Sequence, residues 1–180
     1  GDILNWTNLA GADTDGGIST ADDEAIINYV RITGTNARTV AVDANNDLWT
    51  GGLGDLDHEK ISGVTGLPIP GTQFNSGCGG YGGLIDGNGV LWSARGGSGL
   101  LRFDTNTMSG QCLGNGCGDY GLGIDPLTGN VWQTFLSGPV GVLAPDGQCL
   151  ASYGHNSANA QGVAVDTANN VWIAWATPPS

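Results

Sequence analysis

Four segments of this chain repeat one order of residues, in which a short apolar run ends at an aspartate and a tryptophan follows six or seven residues later. The pairs are Asp43 with Trp49, Asp86 with Trp92, Asp125 with Trp132, and Asp166 with Trp172. Successive tryptophans lie 43, 40 and 40 residues apart. A fixed period of about 40 residues built from short strand-like runs is typical of a β-propeller with one four-stranded blade per repeat. The sequence therefore predicts an all-β propeller of about four four-stranded blades.

Each aspartate–tryptophan segment is predicted to form a β-hairpin, because the intervening Asn, Asp and Gly residues tolerate the backbone conformations of a tight turn. The hairpins are expected at residues 38–52, 82–95, 121–135 and 162–175. A second hairpin is expected after each of the first three. We expect the aspartate to accept hydrogen bonds from its own turn and the tryptophan to pack between neighbouring blades. The alternative is one sugar-binding tryptophan per blade.

The two ends of the chain bear on how the propeller closes. Residues 1–37 form an acidic N-terminal segment, residues 38–180 hold the repeats, and the last repeat lacks two outer strands. Two apolar runs, at residues 3–7 and 25–32, would close a four-bladed ring if they paired with the C-terminal hairpin. The other interpretation is an arc of a larger propeller, whose open strand edges would favour self-assembly.

The order of an apolar run, an aspartate, a turn and Val-Trp is best preserved from Gly121 to Trp132. This pattern resembles the virginiamycin B lyase (streptogramin lyase) and NHL-type propeller families. The resemblance covers about residues 38–175. It implies a propeller fold and, for the lyase, a metal-dependent elimination that uses paired histidines, a glutamate and magnesium in the central channel. The only histidines here are His58 and His155, and neither has the expected partner. His58 is placed in a charged loop, whereas His155 lies in a connector and could face the channel.

Four cysteines occupy matched repeat positions. Cys78 and Cys117 lie in the glycine-rich connectors, and Cys112 and Cys149 lie in two Gly-Gln-Cys-Leu copies. Their even number and placement predict disulfides. One possible pairing joins Cys78 to Cys117 and Cys112 to Cys149. Another joins Cys112 to Cys117 and Cys78 to Cys149. A zinc site is disfavoured because the chain has no Cys-x-x-Cys motif.

An acidic loop near the N-terminus resembles part of a calcium-binding loop. Asp13, Asp15, Ser19 and Asp22 match ligand positions of an EF-hand-like loop, and Gly16 stands at its turn position. The first ligand position is Gly11, which has no carboxylate. A solvated acidic loop is therefore the competing interpretation, and calcium is the one cofactor that the sequence suggests.

Composition limits the class of partner. The chain has 17 acidic and 5 basic residues, a net charge of −12, and no apolar run long enough to span a bilayer. This charge disfavours nucleic acid and anionic membranes. The disulfides predict a secreted or cell-surface location. Asn5, in Asn5-Trp6-Thr7, is the one predicted N-glycosylation site.

Two functional hypotheses follow from these observations. The first is a non-enzymatic propeller module that binds a protein or a glycan, or builds an assembly. The second is a metal-dependent, lyase-like enzyme that uses His155 and channel-facing carboxylates. A cluster of His155 with carboxylates in the channel would favour the enzyme, and a glycine-lined channel would favour the module.

Overall fold

The computed structural model describes residues 29–96, 99–136, 138–154 and 159–176, which form three four-stranded antiparallel sheets and one two-stranded sheet. Blade 1 contains β1 (Ala37–Val42), β2 (Leu48–Gly52), β3 (Asp57–Ile61) and β4 (Phe74–Asn75). Blade 2 contains β5 (Gly82–Ile85), β6 (Val90–Ala94), β7 (Leu100–Asp104) and β8 (Ser109–Leu113). Blade 3 contains β9 (Leu122–Ile124), β10 (Val131–Thr134), β11 (Val140–Leu143) and β12 (Cys149–Tyr153). Blade 4 contains β13 (Ala160–Val165) and β14 (Val171–Trp175).

Within each blade, every strand pairs with the next strand along the chain. Neighbouring blades meet through their first strands, β1 with β5, β5 with β9, and β9 with β13. The described sheets thus form an arc of propeller blades, and the predicted all-β propeller architecture is confirmed. The run at 3–7 and most of the run at 25–32 lie outside the described residues, and residues 29–32 form no strand.

The hairpin turns follow the predicted chemistry. Asn46, Gly89, Gly129 and Asn169 stand at corresponding turn positions with φ of 62°, 80°, 74° and 65°. Asn and Gly are the residues that adopt this left-handed conformation most readily. In each of these turns a side-chain oxygen of the preceding aspartate accepts one or two backbone N–H groups of the turn. The aspartates therefore accept hydrogen bonds from their own turns, as the sequence predicted.

The hydrophobic core lies between the blades. One cluster joins Ala41 and Trp49 of blade 1 to Leu91, Leu101 and Phe103 of blade 2. A second cluster joins Trp92 and its neighbours to Val131 and Leu143 of blade 3. Each of these tryptophans packs on the next blade, and their burial leaves no face of either ring open to a sugar.

The prediction that all four tryptophans pack between blades is wrong for the fourth. Trp132 is partly buried and stacks on Tyr153 of its own blade, with ring centroids 5.7 Å apart. Trp172 is 64% exposed. The physical reason is that each tryptophan is covered by the following blade, and no blade follows blade 4 among the described residues.

Within the described ranges, no helix has the length and apolar character needed to cross a membrane.

Candidate functional site

One repeat position supplies a row of side chains along the inside of the arc. Ala41, Leu84, Gly123 and Ala164 each pair with the tryptophan of their own hairpin. The residues three positions earlier are Arg38, Tyr81, Tyr120 and Gln161. These four residues, called the inner-strand row, occupy equivalent places at the start of the four inner strands. Since adjacent inner strands are in contact, residues that lie about 40 positions apart in the chain become neighbours.

The first three members of the row are stacked. The Arg38 guanidinium carbon lies 3.9 Å from the centroid of the Tyr81 ring. The Tyr81 and Tyr120 rings are 4.9 Å apart and tilted by 38°, and their hydroxyl oxygens are 2.6 Å apart in a hydrogen bond. Arginine favours the face of an aromatic ring because the ring quadrupole attracts the cation. The row thus ties three blades together through side chains.

The tyrosine pair also changes the acidity of one phenol. The hydrogen bond with Tyr81 and partial burial raise the pKa of Tyr120 above its ordinary value near 10. The Tyr120 phenol therefore stays protonated at neutral pH, and a protonated phenol hydroxyl can donate as well as accept a hydrogen bond. This chemistry suits recognition of hydroxyl, amide or carbonyl groups.

A cleft of about 380 Å³ lies along the row. Tyr81, Tyr120 and Gln161 line it together with two leucines and with Gly82, Gly83 and Gly121. Gly83 and Gly121 let the inner strands pack closely, because an added Cβ would lie 2.7 Å from Thr39 Cγ2 at Gly83 and would overlap the Gln161 carbonyl oxygen at Gly121, whereas the space at Gly82 is open. Neither histidine nor carboxylate is among the lining residues.

His58 lies in a different place from the one predicted. It is a fully buried residue of the strand β3 and not part of the predicted charged loop. The Nδ1–H donates to the Leu56 carbonyl at 3.0 Å, which leaves Nε2 to accept from the Ser93 hydroxyl at 3.4 Å. Ser93 also accepts the Gly80 N–H at 2.9 Å. Burial lowers the pKa of His58, so the ring is neutral at physiological pH.

The His58 cluster connects two blades and is closed to solvent. The Ser93 hydroxyl of blade 2 forms a 3.0 Å hydrogen bond with the Thr39 hydroxyl of blade 1, and both residues are buried. Every polar atom of the histidine ring thus has a partner in the protein. The cluster is a structural hydrogen-bond network between blades 1 and 2, and it is separate from the cleft.

The remaining predicted ligands fall outside the residues that the structure describes. These are the calcium candidates Asp13, Asp15, Ser19 and Asp22, the glycosylation candidate Asn5, and the channel candidate His155. Calcium binding, glycosylation and a channel role for His155 therefore stay predictions. Among the described residues, no group of three or more His, Cys, Asp or Glu side chains is placed to hold a metal ion.

All four cysteines form disulfides, as predicted, but in a pairing other than the two considered. Cys78 bonds to Cys112 and Cys117 bonds to Cys149. Each bond joins the connector that enters a blade to the outermost strand of that same blade, β8 or β12. Both cysteines of each bond belong to the same repeat, so the two bonds are equivalent. Neither bond joins two different repeats.

The fold of this chain is similar to that of several solved propeller structures. Neither a protein-family model nor a curated protein sequence matches the chain. A structure of streptogramin B lyase matches 80% of the chain and 49% of its own length, with a TM-score of 0.64 and 15% identity. A catalytically inactive virginiamycin B lyase from Staphylococcus aureus, with quinupristin, matches 80% of the chain and 51% of its own length (TM-score 0.66, 15% identity). The chain has a streptogramin lyase-like propeller fold.

A second kind of protein is similar to the same degree. A nidogen/laminin complex matches 82% of the chain and 60% of its own length, with a TM-score of 0.64 and 16% identity. The lyase-like propeller described here spans about half the length of the lyase structures. At these identities the similarity concerns the fold, and the resemblance inferred from the sequence is confirmed at that level.

The inner-strand row was missed in the sequence. A usable signal was present, because Tyr81 and Tyr120 stand at matched positions in two glycine-rich connectors, Gly-Tyr-Gly and Asp-Tyr-Gly. Arg38 and Gln161 carry no such signal. Their equivalence follows from the strand register, which pairs Ala41 and Ala164 with their tryptophans.

Proposed function

We propose that this chain is a non-enzymatic binding module and that the inner-strand row with its cleft is the ligand site. The observation that carries the proposal is the row itself, in which four successive blades present Arg38, Tyr81, Tyr120 and Gln161 at one repeat position. Guanidinium, phenol and amide groups bind neutral polar ligands by hydrogen bonding and stacking. The ligand is a glycan or a protein segment.

The lining of the cleft supports binding rather than catalysis. Gly82 leaves open space in the cleft, and the lining side chains offer hydrogen bonds without a histidine or carboxylate to transfer protons. The similarity to a propeller from a nidogen/laminin complex agrees with a role in protein interaction. Two disulfides agree with an oxidising compartment, and we propose a secreted or cell-surface location.

Ligand screening with row variants tests the proposed function. The 180-residue chain is applied to glycan and peptide arrays, and hits are measured by isothermal titration calorimetry. Tyr120→Ala and Gln161→Ala are expected to weaken binding at least about tenfold, which corresponds to about 1.4 kcal/mol. Gln148→Ala, in an exposed turn of blade 3, is the matched control and should bind normally. Binding that survives both row variants would place the ligand elsewhere and reject the row as the site.

The lyase-like alternative is favoured by the fold similarity to streptogramin lyase over 80% of the chain. It requires His155 to act with a metal ion, and it is tested with quinupristin, the compound present in one of the similar lyase structures. Magnesium-dependent turnover of quinupristin that disappears in His155→Ala would favour the enzyme. Absence of turnover at high enzyme concentration supports the binding module.

A further inference from the structure

Two tyrosines from different blades meet in the inner-strand row. Tyr81 directly precedes β5 of blade 2, and Tyr120 lies two residues before β9 of blade 3. Their hydroxyl oxygens are 2.6 Å apart, and their ring centroids are 4.9 Å apart. Among the described residues they are the only two tyrosines whose rings are in contact, and Tyr153 stacks on Trp132 instead. The fold thus brings together two phenols that are 39 residues apart in the chain.

The contact between the hydroxyl groups also decides which ring atoms are near each other. Since the two oxygens are closer than the two ring centroids, the rings converge toward their hydroxyl ends. The ortho carbons of each ring adjoin the carbon that carries the hydroxyl, so they lie at the converging ends. Oxidised phenols form carbon–carbon bonds at these ortho positions. Two groups held in contact react far faster than two free molecules, because no encounter is needed.

The surroundings of the pair suit the loss of an electron and a proton. A phenol becomes strongly acidic when it is oxidised, and its proton must pass to a neighbouring acceptor. Each hydroxyl here is the hydrogen-bond partner of the other, and a hydroxyl accepts as well as donates. The cleft of about 380 Å³, which both tyrosines line, gives a small oxidant access to the rings.

A bond between the two tyrosines would supply a kind of link that the disulfides do not provide. Both disulfides close within one blade, so among the described residues no side-chain cross-link joins blade 2 to blade 3. Tyr81 stands three residues after Cys78, and Tyr120 stands three residues after Cys117. Each phenol therefore follows a connector that a disulfide already anchors to its own blade. A bond between the phenols would join the two anchored connectors.

We propose that Tyr81 and Tyr120 form an oxidative cross-linking site, at which a small one-electron oxidant joins blades 2 and 3 through a dityrosine bond. Each phenol loses one electron to the oxidant and one proton to water, and the two phenoxyl radicals form one carbon–carbon bond between ortho carbons. The hydrogens at these carbons then move to the oxygens and restore both hydroxyls. The product lacks two hydrogen atoms of the original pair, and two equivalents of oxidant are reduced. This modification does not depend on the proposed ligand binding.

Oxidation of the 180-residue chain by photogenerated tris(bipyridine)ruthenium(III) tests the proposal. The protein is kept dilute, so that coupling between molecules is slow. The monomer is expected to lose the mass of two hydrogen atoms and to gain dityrosine fluorescence, and mass spectrometry after proteolysis should find Tyr81 bonded to Tyr120. The cross-linked monomer should melt at a higher temperature than the untreated chain, because a cross-link restricts the unfolded state.

Variants that replace tyrosine by phenylalanine keep each ring and remove one hydroxyl. Tyr81→Phe and Tyr120→Phe should each lose the cross-link in the monomer, whereas Tyr153→Phe, the matched control, should form it normally. In the unmodified chain unfolded by urea, the yield should fall at least about tenfold, because the fold supplies the contact. An oxidised monomer without dityrosine would overturn the proposal. A monomer cross-link that survives Tyr120→Phe, or an equal yield in the folded and unfolded chains, would overturn it as well.

Discussion

The Asp86 carboxylate accepts the indole N–H of Trp92 at 3.1 Å, six residues along the chain, while its other oxygen accepts two N–H groups of the intervening turn. Asp166 and Trp172 repeat the arrangement in blade 4. Blade 1 departs from it, because Lys60 lies 2.7 Å from the Asp43 carboxylate and the Trp49 indole N–H has no partner. In blade 2 the repeated aspartate therefore connects the turn to the core through one side chain.

Replacing Asp86 is expected to destabilise the protein far more than replacing Asp166. Asp86→Ala leaves the buried Trp92 N–H and two turn N–H groups without acceptors, at a cost of about 3 kcal/mol. In Asp166→Ala the groups that are released lie in exposed positions, and water can replace the carboxylate. Urea denaturation of the two variants compares the free energies of unfolding. Equal losses would contradict a role for Asp86 that depends on burial.

Removing the amide of Gln133 is expected to stabilise the protein. Gln133 is fully buried in β10, and neither its Nε2 nor its Oε1 has a hydrogen-bond partner in the described structure. Gln133→Leu keeps the approximate volume and removes two unpaired polar atoms, so the free energy of unfolding should rise by about 1–3 kcal/mol. Gln111→Leu, on an exposed strand, is the control and should change little. A destabilised Gln133→Leu would indicate that the amide binds buried water.

Stability should decrease as the pH falls below about 6.5. Burial lowers the pKa of His58 in the folded protein, so the unfolded chain binds a proton first. The contribution of neutral His58 is therefore complete above pH 6.5 and is lost as the pH falls toward the lower, folded-state pKa. Hydrogen bonds from their own turns lower the pKa values of Asp104 and Asp166, the latter to about 2, so their contributions are lost only below about pH 4.

Unfolding measured at pH 7.5, 6.5 and 5.5 checks the histidine effect. His58→Gln should flatten the slope of stability against pH over this interval, since His155 is then the only histidine. An unchanged slope in His58→Gln would assign the effect to another group.

Loss of one disulfide should be costly and similar for the two bonds. Cys78 and Cys112 are 34 residues apart, and Cys117 and Cys149 are 32 apart. Closing a loop of this length restricts the unfolded chain by about 4 kcal/mol. Each paired Cys→Ala variant is expected to show a lower melting temperature under oxidising conditions, and a reductant should lower it again by cleaving the remaining disulfide. Stability that is insensitive to reduction in the unmodified chain would contradict this contribution.

Much of the architecture could be predicted because it depends on local backbone preferences. Local features specify the hairpins without reference to distant residues. These features are the period of the tryptophans, the turn residues Asn46, Gly89, Gly129 and Asn169, and the aspartates before them. Since the turn chemistry repeats, the blade repeats as well. The presence of disulfides also followed from the number and matched spacing of the cysteines.

Contacts between repeats could be decided only by the tertiary structure. The packing of the blades decides which tryptophans are buried and how the cysteines pair. It also brings His58 to Ser93. The same packing forms the inner-strand row from Arg38, Tyr81, Tyr120 and Gln161. The sequence by itself determined the strands, the turns and their period, because neighbouring residues control backbone conformation. The structure decided the inner-strand row and the exposure of Trp172, because packing brings together residues that are one repeat apart.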